Sequence, residues 1–579
     1  MALALLLLLG QFGSGLFPEY SPTEGDAAMQ EEVERLLERQ IDVNRASARE
    51  LLAIPWLSPI LAYRIVATRD SAGRISRIEQ LRLVAGMTDE TFAAIRPFLR
   101  VSSRRTAWSG SFVSRVSTDS LEGGTTRLRM LNRLEVRTGP ARAVVLTEKD
   151  RGESSPTDFL SGGAQIRMAG TRALVGDFAA GFGQGLVLST PSWRSNLLDG
   201  PGRTGPDVRL LSSAGEGSCL RGGAVATEAG RWNLLALGSF MGRDARLNED
   251  GTVERLVGTG VHDDSASLAG RGAVHEVTAG LGAAYRGERF GAGFSAEYSR
   301  YDRSFAPAES GSSFSGSDLL ATGVNAEYRK GDYELGAEVA ASSGPGLAGS
   351  LEIVGHWPNF DSRLALRGRQ ARFFAPHGRW SGLVNGRDRM DASGRLKWHH
   401  SGSSVSVSGN TYRDYELDSM PAKLELRFGQ ELGRFDLALG LGLRYRLDKE
   451  RSRTARAEMG VRAGRTTTAR LAIANVYPSG SESRGTLAVL LLTQELGPAE
   501  VGLAAARVSV DGSGVNMYLH EPGAGRIGSS FSSSVSCWRL SAGCGVRLGQ
   551  WLRLGLKAGC AWKPQPVLDG AAQLEVASQ

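Results

Sequence analysis

Beyond Arg105 the apolar residues of this chain fall at every second position. In "FDLALGLGLRYRLD" Phe435, Leu437, Leu439, Leu441, Leu443, Tyr445 and Leu447 are apolar, while Asp436, Arg444, Arg446 and Asp448 stand among the residues between them. Successive side chains of an extended strand point to opposite faces, so this stretch has one greasy face and one polar face. The preceding "AKLELRFGQEL" alternates likewise, with Lys423, Glu425, Arg427 and Glu431 on its polar side. In "VTAGLGAAYRGERFGAGFSAEYSRY" the residues Val277, Leu281, Tyr285, Phe290, Phe294 and Tyr298 share one face across a turn at Gly287 and Glu288. "GVRLGQWLRLGLKAGCAW" repeats the scheme around Gly549. Strands of about ten residues are long enough to cross a bilayer at a tilt.

The connections separate a soluble β-fold from a membrane barrel. Tight turns are predicted near Gly230, Gly287, Gly331, Asn359, Gly402, Gly433, Gly464, Gly497 and Gly549. The joints between them are mostly longer and polar: 244–270, 302–317, 370–387, 414–420, 477–484 and 511–530. Short turns on one side and long loops on the other are the pattern of outer-membrane barrels. An inward face rich in Arg, Glu, Asp, Ser and Gly suits a wet lumen and not a soluble core. Its candidate lumen-facing residues are Lys423, Glu425, Arg427, Arg444 and Arg446. Counting hairpins both ways from Gly230 predicts a large all-β antiparallel transmembrane barrel over residues 106–579. It should hold about 24 strands, in the range of about 20 to 26, with both ends on the short-turn side. The chain ends "AAQLEVASQ", where Leu574 and Val576 fit a last strand but the usual terminal aromatic residue is missing, which puts that strand in doubt. "VGDFAAGFGQGL", Val175 to Leu186, is too rich in glycine for a regular strand and is expected to fold inward or bulge.

The first hundred residues keep a helical period instead. Met29, Val33, Leu36 and Leu37 mark an amphipathic helix. "SARE" (Ser47 to Glu50) and "SRIE" (Ser76 to Glu79) each place Ser three residues before Glu, the capping-box spacing, and predict helices beginning near Ala48 and Arg77. The tight connections "IPWLSP" and "VAGMTD" follow, with Ser58–Pro59 and Thr88–Asp89 as N-cap and first-turn pairs. The second connection repeats the first thirty residues later, an internal duplication.

From "IDVNRASARELL" through "RIVATRDSAGRISRIEQLRLVAGM" to "IRPFLRV" the chain resembles the tandem helix-hairpin-helix module of ComEA-type competence DNA receptors. The resemblance implies a small all-α domain, taken here as residues 28–105. It also implies hairpin glycines that let backbone N–H groups at a helix N-terminus approach a phosphate. At the matching positions this chain has Trp56 and Ser58, then Gly86 and Thr88, so three of the four glycines are replaced. The candidate contacts for nucleic acid or a protein partner are Trp56, Ser58, Arg64, Gly86 and Thr88, while Leu57 and Met87 read as core plugs. The glycine-rich stretch at 175–186 and "MYLHEPG" (Met517 to Gly523) resemble segments of bacterial outer-membrane proteins that carry an N-terminal helix-hairpin-helix region.

The apolar run Ala2 to Leu9, followed by small residues, predicts a signal peptide over roughly residues 1–20, and it is too short to span a bilayer. The net charge of +7 rests mainly on arginines spread along the chain, so it does not mark a nucleic-acid patch. Cys219, Cys537, Cys544 and Cys560 have neither a disulfide framework nor metal spacing. The seven histidines are scattered, and the adjacent His399 and His400 point to opposite faces, so no metal or cofactor is expected. Neither a P-loop nor a G-x-S-x-G with a partner His stands out. The expected function is a non-enzymatic outer-membrane barrel, a pore, uptake or assembly component set in outer-membrane lipid. Its degenerate helix-hairpin-helix domain would lie in the periplasm as a plug or protein-interaction module and bind DNA weakly at most. A competence-type DNA-uptake protein is the first alternative, and an outer-membrane enzyme the second.

Overall fold

A computed structural model describes most residues from Gln40 to Ser578. Its longer gaps fall within 47–58, 88–94, 102–107, 119–127, 190–202, 212–218, 307–313, 379–388, 415–421, 446–451 and 522–528. The expected signal peptide, the Met29 helix, the Ser47 cap and the residues Trp56, Ser58, Thr88 and Arg446 lie outside the described residues, as does the side chain of Arg444.

The main sheet is a closed barrel in which Arg203–Leu210, Ala245–Leu247 and Val253–Leu256 lie off the wall, and the remaining 24 strands form it. All neighbouring wall strands are antiparallel. The first, Trp108–Thr118, closes on the last, Val567–Ser578, from Gly110 opposite Ser578 to Thr118 opposite Gly570. The last strand therefore forms without a terminal aromatic residue, because both of its edges are paired.

Hairpin chemistry sets the short-turn end. Gly139, Gly230, Gly331, Gly433 and Gly497 each open a two-residue turn with φ between +52° and +63°. Glycine adopts that conformation without the Cβ penalty, and it favours the first central position of such turns. Joints at the other end are mostly longer, although 343–345 spans only three residues.

The outer face is apolar and banded. Leu424, Leu426 and Phe428 are 38–49% exposed, and Leu439 and Leu441 likewise face outward. Trp232, Tyr333, Phe360, Trp398 and Phe435 form an aromatic belt near the short turns, and Phe240, Tyr298, Tyr412, Tyr477 and Trp562 form another toward the long loops. From Trp232 to Phe240 is about 27 Å along the strand, or roughly 20 Å of height at a tilt of about 40°, which suits the apolar thickness of an outer membrane. Cys544 and Cys560 lie on this apolar face beside Leu556 and Leu540.

Upstream, Pro59–Ala72 is a helix with Pro at its first position, where a missing N–H costs nothing. Its buried Leu61 and Ile65 pack with Leu51, Ile54, Leu57, Leu81, Phe92, Ile95 and Phe98. Asn44 ties the two repeats by donating to the Ile75 carbonyl at 2.8 Å and accepting the Ile75 N–H at 2.9 Å. Two expectations need correction. The segment near Arg77 is a 3₁₀ helix, Ile78–Leu83, and its N-terminus is closed by the Gln80 carboxamide accepting from Ser76 and Arg77, not by Glu79. The region is also not purely helical, since Ile41–Asp42 pairs in parallel with Leu99–Arg100.

Candidate functional site

The helix-hairpin-helix region touches the barrel at its short-turn end. Arg64, on the helix Pro59–Ala72, donates to the Ala85 carbonyl at 3.0 Å and pairs with Asp332 at 2.6 Å. Asp332 belongs to the Gly331 turn. His356, just before the turn at Asn359, directs Nε2 to the Gly86 carbonyl oxygen at 3.1 Å and Nδ1 to Asp361. Asp361 in turn lies 3.4 Å from His399 Nε2, beside the Gly402 turn. Two successive short turns therefore receive the domain, and His399 beside the third backs Asp361. Gly86 has φ +85°, and a Cβ there would lie 2.6 Å from Arg64 Nη1 and 3.4 Å from His356 Nε2. The one glycine kept from the family pattern is thus turned toward the barrel. Of the candidate contact residues, Arg64 and Gly86 come together here.

Part of the lumen is occupied by segments that leave the wall. Thr171–Gly183 starts as a wall strand between its neighbours, with Gly176 opposite both Gly163 and Gly222. Phe178, opposite Leu220, is its last residue in the wall; the strand pairs also with Arg203–Leu210, Phe178 opposite Leu210 and Ala180 opposite Val208. Gly176 makes the bend with φ +107°, where a Cβ would meet the Gly162 carbonyl at 2.1 Å. Asp177 is fixed at the bend by Arg221 through bonds of 2.6 and 3.0 Å. The excursion buries Phe178, Phe182, Leu186, Val187 and Leu188 against Ala321, Ala340 and Ala348 of the far wall. Its tip is held by Glu338, which accepts from the backbone N–H groups of Gln184 and Leu186. The inward fold expected of the glycine-rich stretch is what forms.

Two further connections fold in beside it. The segment after Arg369 buries Phe373, Phe374 and Ala375, and its His377 sits 3.0 Å from Glu297 and 3.3 Å from Glu276. The His377 carbonyl accepts the Ser189 N–H at 2.7 Å, which links this segment to the first excursion. The hairpin Met517–Glu521 with Ser529–Ser533 places Glu521 against Arg539, at 2.8 and 2.9 Å, and Lys557, at 3.1 Å. Under this hairpin the wall carries Ala472, Leu487, Val489, Leu491, Ala504 and Ala506 packed on Val515, Met517 and Leu519. The expectation of a polar inner face fails there, because those positions meet protein and not water. Elsewhere Lys423, Glu425 and Arg427 lie on the face opposite Leu424, Leu426 and Phe428. Glu425 is buried, 3.6 Å from Lys423 and paired with Arg427.

A helix-hairpin-helix motif model matches residues 38–100. Taken with the closed 24-strand wall and its apolar, belted outer face, this decides the class. The chain is an outer-membrane β-barrel with a helix-hairpin-helix motif. No curated protein matches it. Among solved structures, the PapC translocation pore of the P pilus usher is 10% identical at a TM-score of 0.39, with 82% of this chain and 99% of that one covered. The siderophore receptor PirA of Acinetobacter baumannii is 8% identical at 0.39, with 83% and 82% covered. A variant of the ferric enterobactin receptor PfeA of Pseudomonas aeruginosa is 8% identical at 0.41, also with 83% and 82% covered. At these values the barrel class rests on the strand closure and the belts.

Sequence reasoning missed the barrel-side partners Asp332, His356 and Asp361. The signal was present in "GHWPNFD", where a His and an Asp flank a predicted turn; two polar residues that close to a short turn have little to do within the wall.

Proposed function

We propose that the protein is a non-enzymatic transport or pore component of the outer membrane, with a lumen closed by its own inward segments and Lys423, Glu425 and Arg427 lining the remainder. The helix-hairpin-helix domain, residues 28–105, would sit in the periplasm as a docking module on the short-turn rim and contact a periplasmic protein, not DNA. The observation that carries this reading is the engagement of the Gly86 carbonyl by His356, with Arg64 against the same glycine. A phosphate seeking the close backbone approach at Gly86 would meet the barrel instead.

The test is single-channel recording of the full-length protein in planar bilayers, beside a variant in which residues 182–208 are replaced by a short Gly-Ser bridge. Wild type stays closed and the variant conducts; a variant that inserts but does not conduct sinks the pore reading. In parallel, fluorescence anisotropy with labelled duplex DNA should give affinity no tighter than the nonspecific range of about 10⁻⁴ to 10⁻⁶ M, fading steeply with salt. Tight, salt-resistant binding would favour the DNA-uptake alternative.

A further inference from the structure

At the long-loop end, two connections bring together five ionisable side chains that the docked domain and the inward segments do not use. Glu153 and Asp158 come from the joint 150–158, and Asp244, His262 and Arg271 from the joint 244–272. His262 and Glu153 are each only 3% exposed. His262 Nε2 lies 2.9 Å from Asp244 Oδ2, whose other oxygen accepts the Gly272 N–H at 2.8 Å. His262 Nδ1 lies 2.9 Å from Asp158 Oδ2 and 3.8 Å from Glu153 Oε1. Asp158 Oδ1 is held by Arg271 at 2.7 Å. Glu153 is oriented by the backbone N–H groups of Asp150, at 2.7 Å, and His262, at 3.2 Å.

With Nε2 donating to Asp244, the neutral ring turns the Nδ1 lone pair toward a carboxylate oxygen 2.9 Å away. Two lone pairs hold that separation only with a positive charge between them, either a proton or a metal ion. A proton on Nδ1 serves one good acceptor, whereas here a second carboxylate converges on the same nitrogen. One ligand atom each from Glu153, Asp158 and His262 lies within 4.8 Å of the others. Around a tetrahedral ion with bonds of about 2.0–2.1 Å, ligand atoms sit roughly 3.4 Å apart, between the two separations at Nδ1. Charge points the same way. Three carboxylates and Arg271 leave two negative charges around a neutral His262, and the neighbouring Asp150 is already paired with Arg129 at 3.1 Å.

We propose that Glu153, Asp158 and His262 bind a divalent transition-metal ion that clasps the two long loops together, with Asp244 as the residue that orients His262. One imidazole nitrogen and two carboxylate oxygens suit Zn²⁺ or a similar first-row ion, with water at the fourth position. Each ligand has its own supporting hydrogen bond, and a His that ligates through one nitrogen and donates the other to a carboxylate is the usual arrangement at such centres.

The experiment strips the full-length protein in detergent with a chelator and titrates it with Zn²⁺, reading uptake by metal analysis and affinity by calorimetry. Wild type binds one ion per chain. Glu153→Gln keeps an acceptor for only one of the two backbone N–H groups and loses affinity by at least about 10-fold, His262→Ala abolishes binding, and Asp244→Asn weakens it by about 10- to 100-fold. Heat-modifiable migration on gels, unchanged in each variant, shows that the barrel is intact. If wild type takes up no Zn²⁺, or if Glu153→Gln and His262→Ala bind it as wild type does, the proposal is overturned and a proton on His262 is what bridges it to Asp158.

Discussion

His356 Nε2 lies 3.1 Å from the carbonyl oxygen of Gly86, joining positions 270 residues apart. The contact matters because its neighbour on the rim is weak by itself. The Arg64–Asp332 pair has 29% and 38% of its side-chain surfaces exposed, and an ion pair that open to water contributes under about 1 kcal/mol. Asp332→Ala alone should therefore leave the domain docked. Asp332→Ala combined with His356→Ala should release it. Limited proteolysis reads this directly: the double variant loses its N-terminal region several-fold faster while the barrel stays protected. Equal cleavage rates in wild type and double variant would mean that the domain is held elsewhere.

The register of the wall gives a second expectation. Leu441 is 58% exposed on the outer face, one residue along from the polar face that carries Arg427 and Glu425 on the neighbouring strand. Leu439→Arg or Leu441→Arg should cost roughly 2 to 4 kcal/mol near the membrane midplane. Arg427→Leu should insert normally, since Lys423 remains 3.6 Å from Glu425. The check is urea titration of folding into lipid vesicles. Equal costs on both faces would show that the assigned register is wrong.

How far the sequence carried follows from what each element depends on. Wall strands depend on alternation and hairpin glycines, which are local, so residues such as Leu439 and Gly433 announced both their face and their turn. The inward excursion was half legible. The glycine density of 175–186 marked a departure from the wall, but the partner Glu338 and the far-wall alanines lie more than a hundred residues away and carry no local signal. The second helical start falls within one residue of its expected place, but its cap was misread because Ser76 and Glu79 have the capping-box spacing, while Gln80, one residue on, reaches the same backbone N–H groups. The inner face beneath the hairpin at Met517 mixes Leu487, Val489 and Leu491 with the smaller Ala472, Ala504 and Ala506, so alternation alone does not say which side meets water. Only the hairpin's own apolar side, Val515, Met517 and Leu519, makes it a core.

The bend at Gly176 can be tested by one methyl group. Its φ of +107° is strained for any L-residue, and an added Cβ would meet backbone at 2.1 Å, which no rotamer change can relieve. Conformational strain alone costs about 1–3 kcal/mol, and the clash adds to it. Gly176→Ala should lower the midpoint of thermal unfolding and loosen the excursion, seen as faster hydrogen exchange over residues 178–188. Gly238→Ala is the control, because a Cβ there meets nothing within 4 Å. If both variants behave alike, the bend does not depend on Gly176.

The inward hairpin at Met517 should respond to acid. Burial pushes the Glu521 carboxyl upward, but the bonds from Arg539 and the charge of Lys557 outweigh it and hold its pKa at about 2. A carboxylate whose pKa is lower in the folded state stabilises that state fully above its unfolded pKa, about 4.3, and loses the contribution as pH falls toward 2. The hairpin should therefore stay seated at neutral pH and detach between about pH 4 and 2, read as the appearance of protease cleavage within residues 515–533. Glu521→Gln removes the carboxylate that buried Arg539 and Lys557 share, and with Asp569 still bonded to Arg539 at 3.0 Å the loss is at most about 3 to 5 kcal/mol at neutral pH. That variant should show the cleavage already at pH 7 and little further change in acid. A wild-type hairpin that resists cleavage down to pH 2, or a Glu521→Gln protein that matches wild type at pH 7, would show that this carboxylate does not hold the hairpin in the lumen.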